Sequence, residues 1–294
     1  MTPDPHNGPK LTSRQLLCAA AFAAIACPAP AATPYFDAAV DYVPDTNVGR
    51  GWHQDVLEDD VLAAHITANL PLLTGPRSGL LLSGGAGLRA YTDWGDLSEG
   101  RLDAHAVWRV QPGADYDALW YEVHAGAALL EHTGSALRDG GTFATGLDVG
   151  RRLTDLVEVR AGYRYAVRRA FDAPVFDTES HRLATHGEWR FAPRYTAYGG
   201  FAWQTGGLVV SSRKTALVEA VGEADAPDPA LSTALAARRA YRVDADTLSG
   251  ELGVNYALGA HWALDLALEY FHSAAARGLW YEGVQLDAGV LFRF

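Results

Sequence analysis

The chain has 294 residues, 49% of them hydrophobic and 20% charged, with 24 Lys+Arg against 35 Asp+Glu and a formal charge of −11. Its apolar content excludes intrinsic disorder, and its acidic balance argues against a nucleic-acid partner. Only two cysteines occur, Cys18 and Cys27, which excludes a disulfide scaffold or a Cys-ligated zinc site in the remainder of the chain.

In chain order, Lys10 and Arg14 precede an apolar run from Leu16 to Cys27. That run is too short for a bilayer span, which needs about 20 residues. Ala29-Pro30-Ala31 follows with small residues suited to cleavage. Residues 1–31 therefore read as a secretory signal peptide and residues 32–294 as the mature chain.

After Ala32 no apolar stretch is long enough for a transmembrane helix. The chain alternates with a period of two instead. In Leu264-Asp265-Leu266-Ala267-Leu268-Glu269-Tyr270 the leucines and Tyr270 share one face, while Asp265, Ala267 and Glu269 share the other. Val157–Tyr165 and Arg101–Arg109 repeat the pattern. Twelve such segments are predicted as strands: 34–43, 60–73, 79–92, 99–111, 118–131, 141–153, 156–169, 180–192, 195–210, 243–258, 261–273 and 279–294. Links after even strands are short. Links after odd strands are longer, above all near 44–59 and 211–242. The fold class is thus all-β: a transmembrane up-and-down antiparallel β-barrel of about twelve strands, with tight periplasmic turns, longer external loops and both termini on the periplasmic side.

Polarity supports this. The apolar rows must face lipid and the charged rows the lumen, because Arg or Lys on the lipid face at mid-bilayer costs roughly 2–4 kcal/mol. Trp108, Trp120, Tyr121, Trp189, Phe191, Tyr195, Tyr256 and Trp262 gather at the periplasmic strand ends and suit a headgroup-level girdle.

The last nine residues, Leu286-Asp287-Ala288-Gly289-Val290-Leu291-Phe292-Arg293-Phe294, alternate and end on Phe. This segment resembles the closing strand of bacterial outer-membrane β-barrel proteins of the porin-like kind. Tyr42-Val43-Pro44-Asp45-Thr46-Asn47-Val48 resembles the first strand and loop of many such barrels. The resemblance covers essentially residues 32–294, at the level of the class. It implies an outer-membrane location, outer-membrane lipid and lipopolysaccharide as surroundings, and Phe292 and Phe294 as a C-terminal signal for the barrel-assembly machinery. It supplies no substrate-binding or catalytic residue.

Alternation assigns lumen-lining residues on six strands. The basic ones are Arg101, Arg109, Arg160, Arg164, Arg168, Arg182 and Arg190. The acidic ones are Asp103, Glu122, Glu158, Glu188, Glu251, Asp265 and Glu269, and His105, His124, His186 and Asn255 lie among them. Two readings of this balance stay open: an ion-pair network that plugs the barrel, or a water-filled path whose opposed walls orient polar solutes. The external loops hold an acid excess (Asp45, Asp55, Glu58, Asp59, Asp60; Asp93, Asp96, Glu99; Asp172, Asp177, Glu179) that attracts cations. In the longest loop, Ala216–Val221 and Pro229–Arg239 are expected as short helices, with Gly222–Pro229 as a flexible middle.

No catalytic motif stands out. Ser180-His181 and His272-Ser273 are adjacent, so their side chains point oppositely on a strand. His53, His65, His105, His124 and His186 show no metal-ligand spacing. No cofactor or metal is expected. The first functional expectation is a channel or passive conduit for small polar solutes. The second is a non-conducting barrel whose loops bind a partner or assist export. The third is an outer-membrane hydrolase.

Overall fold

The structure, a computed structural model, describes residues 33–52, 55–213, 216–234 and 236–294. The expected signal peptide lies outside the described residues. Among them are thirteen strands: β1 (Tyr35–Asp45), β2 (Asp59–Thr74), β3 (Ser78–Tyr91), β4 (Glu99–Val110), β5 (Trp120–His132), β6 (Gly140–Arg152), β7 (Val157–Ala170), β8 (Thr178–Ala192), β9 (Tyr195–Ser212), β10 (Ala224–Pro227), β11 (Arg239–Ala257), β12 (Trp262–Ala275) and β13 (Trp280–Arg293). One short helix, α1 (Ala216–Val221), lies between β9 and β10.

Every neighbouring pair is antiparallel. β9 pairs with β11, and β13 returns to β1, so twelve strands close into a barrel without an edge. At the seam, Phe36 N donates to Phe294 O (2.8 Å) and Phe294 N donates to Phe36 O (3.0 Å). Closure satisfies every strand's backbone groups without water, which a membrane interior demands. β10 is an extra strand. It pairs with β11 over Ala224–Pro227, beyond the point where β12 ends.

The twelve long strands coincide with the segments expected from alternation, shifted at their ends by a few residues. The largest shift is at β11, which starts at Arg239. One row shows how alternation becomes architecture. Leu252, Leu268 and Leu286 are aligned across β11, β12 and β13 and all face outward. Leu252 is 72% exposed and Phe201 on β9 is 76% exposed. In water this surface would be unfavourable by about 25 cal/mol per Å²; against acyl chains it is matched. The exposed rings Trp108, Tyr121, Trp189, Phe191, Tyr195 and Trp262 form the lower girdle, joined by the stacked Tyr195–Tyr256 pair (4.5 Å) and the Trp262–Phe292 pair (4.3 Å). Trp120 departs from the expectation. It is only 3% exposed and faces the lumen, with the Arg109 guanidinium 4.0 Å above its ring. Its parity matches Glu122 and His124, so it belongs to the inward set.

Three other sequence expectations need correction. Pro229–Arg239 is no helix. Pro229–Leu231 makes a single 3-10 turn, Thr233 and Ala236 form a bridge, and Arg239 already begins β11. The Ser232 hydroxyl accepts from Arg238 N (2.8 Å), a side-chain bond that competes with helix. The middle of that loop is not a plain tether, since Ala224–Pro227 is strand. The external links are not uniformly long either, because 276–279 is as short as a periplasmic turn.

Candidate functional site

The inward parity of each strand carries the charged groups. All eighteen lumen positions expected from the sequence lie on it, and their hydrophobic neighbours, such as Leu102, Val123, Leu183 and Leu266, are exposed outward. Arg190 differs by being exposed, as befits its place near the periplasmic end of β8. Asp103 is the hub of one cluster. His65 Nε2 and Arg101 Nε each lie 3.1 Å from its Oδ1, and His105 Nε2 lies 3.0 Å from its Oδ2. Lower on the same wall, Glu158 lies 3.2 Å from Arg152 and 3.9 Å from Arg109, and His186 lies 3.3 Å from Glu188. On the far wall, Tyr198 donates its hydroxyl proton to Asp265 Oδ2 (2.8 Å) and Asn255 Nδ2 donates to Asp265 Oδ1 (3.2 Å).

The two sides differ in charge balance: β4–β8 carry inward acids such as Asp103, Glu158 and Glu188 among a larger number of arginines, whereas the other side is acidic. On β7 and β8, Arg164 stands directly opposite Arg182. On β11 and β12, Glu251 stands directly opposite Glu269. Strand order places β4–β8 on one side of the lumen and β11–β13 with β1 on the other. The second side carries Glu251, Asp265, Glu269, Asp287, Asp41 and Asp37 inward. Among the described residues of β12, β13, β1 and β11 from Val243 onward, the one inward arginine is Arg293 at the rim, paired with Asp37 (2.5 Å). Like charges set side by side on each wall favour opposite charge across the lumen.

Beyond the membrane the barrel is covered. Gly206 has φ +129°, and a Cβ there would lie 2.2 Å from Glu179 O, so only glycine fits this kink. Past it, Gly207–Ser212 of β9 is buried on both faces. One face packs Leu208, Val210, Tyr241 and Val243 with Val218 of α1 and Tyr281; the other packs Val209 and Ala240 with Val175 and Phe176. The loop after β9 then crosses the mouth. Leu231 packs among Val43, Val61, Tyr91 and Leu97, on β1–β3 and the β3–β4 link. Asp228 meets Arg138 of the β5–β6 link at 2.6 Å, where both side chains are essentially inaccessible. Burial alone would raise the Asp228 carboxyl, but the Arg138 charge overrides it and holds the group below the usual carboxylate range. From the β1–β2 link, Asp55 Oδ1 lies 2.5 Å from Arg238 Nη2, and Arg50 stacks over Phe271 at 3.8 Å. The longest loop is thus an inward cap.

In the periplasmic half of the lumen, away from the cap, lies a cavity of about 210 Å³. Its lining includes seven of the expected residues: His105, Arg109, Glu122, Glu158, Arg160, His186 and Glu188. It extends to Tyr35, Leu73 and Gly79 near the periplasmic rim. Arg101, Asp103, His124, Arg164, Arg168, Arg182, Arg190, Glu251, Asn255, Asp265 and Glu269 lie outside that lining. Arg168 sits high in the barrel, where its guanidinium donates to Arg138 O. Asp37, Asn69 and Trp120 line the cavity but were not among the sequence candidates. The signal for them in the sequence is the same alternation, since Asp37, Asn69 and Trp120 carry the inward parity of β1, β2 and β5. The adjacent Ser–His pairs do not meet. Ser273 is buried beside Thr247 (2.7 Å), while His272 stacks with Trp280 (5.7 Å).

No protein-family model matches the chain, and no curated protein matches it in sequence. Solved structures do. The COG4313 outer membrane channel from Pseudomonas putida F1 aligns with TM-score 0.56 and 10% identity, over 90% of this chain and 97% of that one. The KdgM porin, solved with disordered oligogalacturonate, aligns with TM-score 0.43 and 12% identity over 87% and 99%. The translocator domain of autotransporter NalP from Neisseria meningitidis gives 0.43 and 13% over 97% and 95%. The first likeness shows a shared fold. With its apolar belt, aromatic girdle and closed sheet, the chain is an outer-membrane β-barrel.

Proposed function

We propose that this barrel is a channel for small polar solutes, closed at its external mouth by its own loops. The observation that carries the reading is the lumen: a charged, cavity-bearing interior with an acidic wall facing a basic one. A barrel stabilised only by filling would favour apolar side chains inside, since buried charges are retained at a desolvation cost. The opposed walls orient a solute that carries both signs or a strong dipole. The cap sets the gate, because the β9–β11 loop closes the path through buried apolar contacts and two ion pairs.

Planar-bilayer conductance tests this. The intact barrel is expected to open rarely, and a barrel with residues 216–237 replaced by a short Gly/Ser link is expected to conduct steadily. If the shortened barrel is folded but still shows no conductance, the channel reading falls and a non-conducting barrel that presents its loops takes its place.

A further inference from the structure

On the lumen wall, Glu122 and His124 of β5 face Asp148 and Gly146 of β6 in direct cross-strand register. Gly146 leaves room for the imidazole, since a Cβ there would lie 2.3 Å from His124 Nε2. His124 Nδ1 is 3.1 Å from Asp148 Oδ2. One potential ligand atom from each of Glu122, His124 and Asp148 lies within 4.8 Å of the others. We propose that these three residues bind a divalent first-row transition ion of the Zn²⁺ kind.

Three physical points carry the assignment. First, two carboxylates directly opposite on neighbouring strands repel unless something positive lies between them. Second, the Glu122 side chain is 3% exposed, faces the other two donors, and accepts no hydrogen bond from a described residue. Arg109 stands opposite Glu122 on β4, but its guanidinium is stacked on Trp120 and reaches toward Glu158 at 3.9 Å. Third, the donor set is one imidazole and two carboxylates. That mixture suits zinc, manganese or iron, whereas Ca²⁺ and Mg²⁺ prefer all-oxygen shells. Metal–donor bonds of about 2.1 Å place tetrahedral ligand atoms about 3.4 Å apart, so donors that lie within 4.8 Å of one another need to draw together by at most about 1.4 Å. Glu122 also lines the cavity, which provides an entry path. The inference stands without conduction, because it concerns binding only.

The test is isothermal titration of the purified, folded barrel with Zn²⁺. One ion per barrel is expected. Glu122→Gln, His124→Ala and Asp148→Asn are each expected to weaken binding at least about tenfold, as even outer-shell losses cost that much. His186→Ala, on another strand, is expected to leave it unchanged. Heat-modifiable gel migration confirms that each variant is folded, and Glu122→Gln keeps shape and volume. An absence of Zn²⁺ binding to the intact barrel overturns the proposal. So does binding that survives all three substitutions, or equal affinity for Ca²⁺ and Mg²⁺.

Discussion

At the scale of single residues, the external links share a device. Ser98 Oγ accepts from Tyr91 N (3.2 Å), Asp139 Oδ1 from His132 N (2.6 Å) and Asp177 Oδ1 from Ala170 N (2.8 Å), each pair seven residues apart across a 3-10 turn. These turns are Gly95–Leu97, Ala136–Arg138 and Pro174–Phe176, and each aims its last residue into the cap. Asp59 works similarly, accepting from the backbone of Thr92, Asp93 and Trp94. Much of the loop acidity that reads as cation-attracting is therefore internal wiring. Asp228 gives a pH prediction. Its folded value is depressed, so its contribution is present above the unfolded value of about 4 and is lost as pH falls through the folded one. The cap is expected to become susceptible to protease within 213–238 as pH drops below about 4. Asp228→Ala, which leaves the buried Arg138 charge unmatched, is expected to cost about 3–5 kcal/mol and to loosen the loop already at neutral pH. Proteolysis across pH checks both, and a cap that stays protected in acid contradicts the assignment.

At the scale of elements, a strand's period of two does most of the work. Once Leu264, Leu266 and Leu268 are set outward, Asp265, Ala267 and Glu269 have only the lumen. That is why twelve strands and their inward charges were legible in the sequence. Leu268→Arg, in the centre of the Leu252–Leu268–Leu286 row, is expected to destabilise the barrel by about 2–4 kcal/mol in vesicle unfolding by urea. A cost near zero would mean the row does not sit at mid-bilayer. Local rules were weaker elsewhere. Composition favoured helix over Pro229–Arg239, yet Leu231 is buried among strands β1–β3 and Arg238 is tied to Asp55. Tertiary contacts outweigh an intrinsic preference of a few tenths of a kcal/mol per residue. The position of Trp120 along its strand suits the girdle, but parity decides the face a ring takes.

At the scale of the whole molecule, closure creates the lumen and its transverse charge. Arg164→Ala with Arg182→Ala is expected to shift the reversal potential of the loop-shortened barrel toward cation selectivity, with the acidic wall then less opposed. Under a salt gradient, an unchanged reversal potential would remove these arginines from the conduction path.

Alternation along the chain determined the barrel, its outward grease and its inward charge, because on a strand the face of each residue follows from its nearest neighbours alone. The tertiary structure decided the covered mouth and the grouping of lumen charges into sites. Arg138 meets Asp228 across 90 positions and Arg238 meets Asp55 across 183, and Glu122 meets Asp148 only through the β5–β6 register. Such contacts depend on how distant segments are brought together when the sheet closes, and a period of two contains no information about that distance.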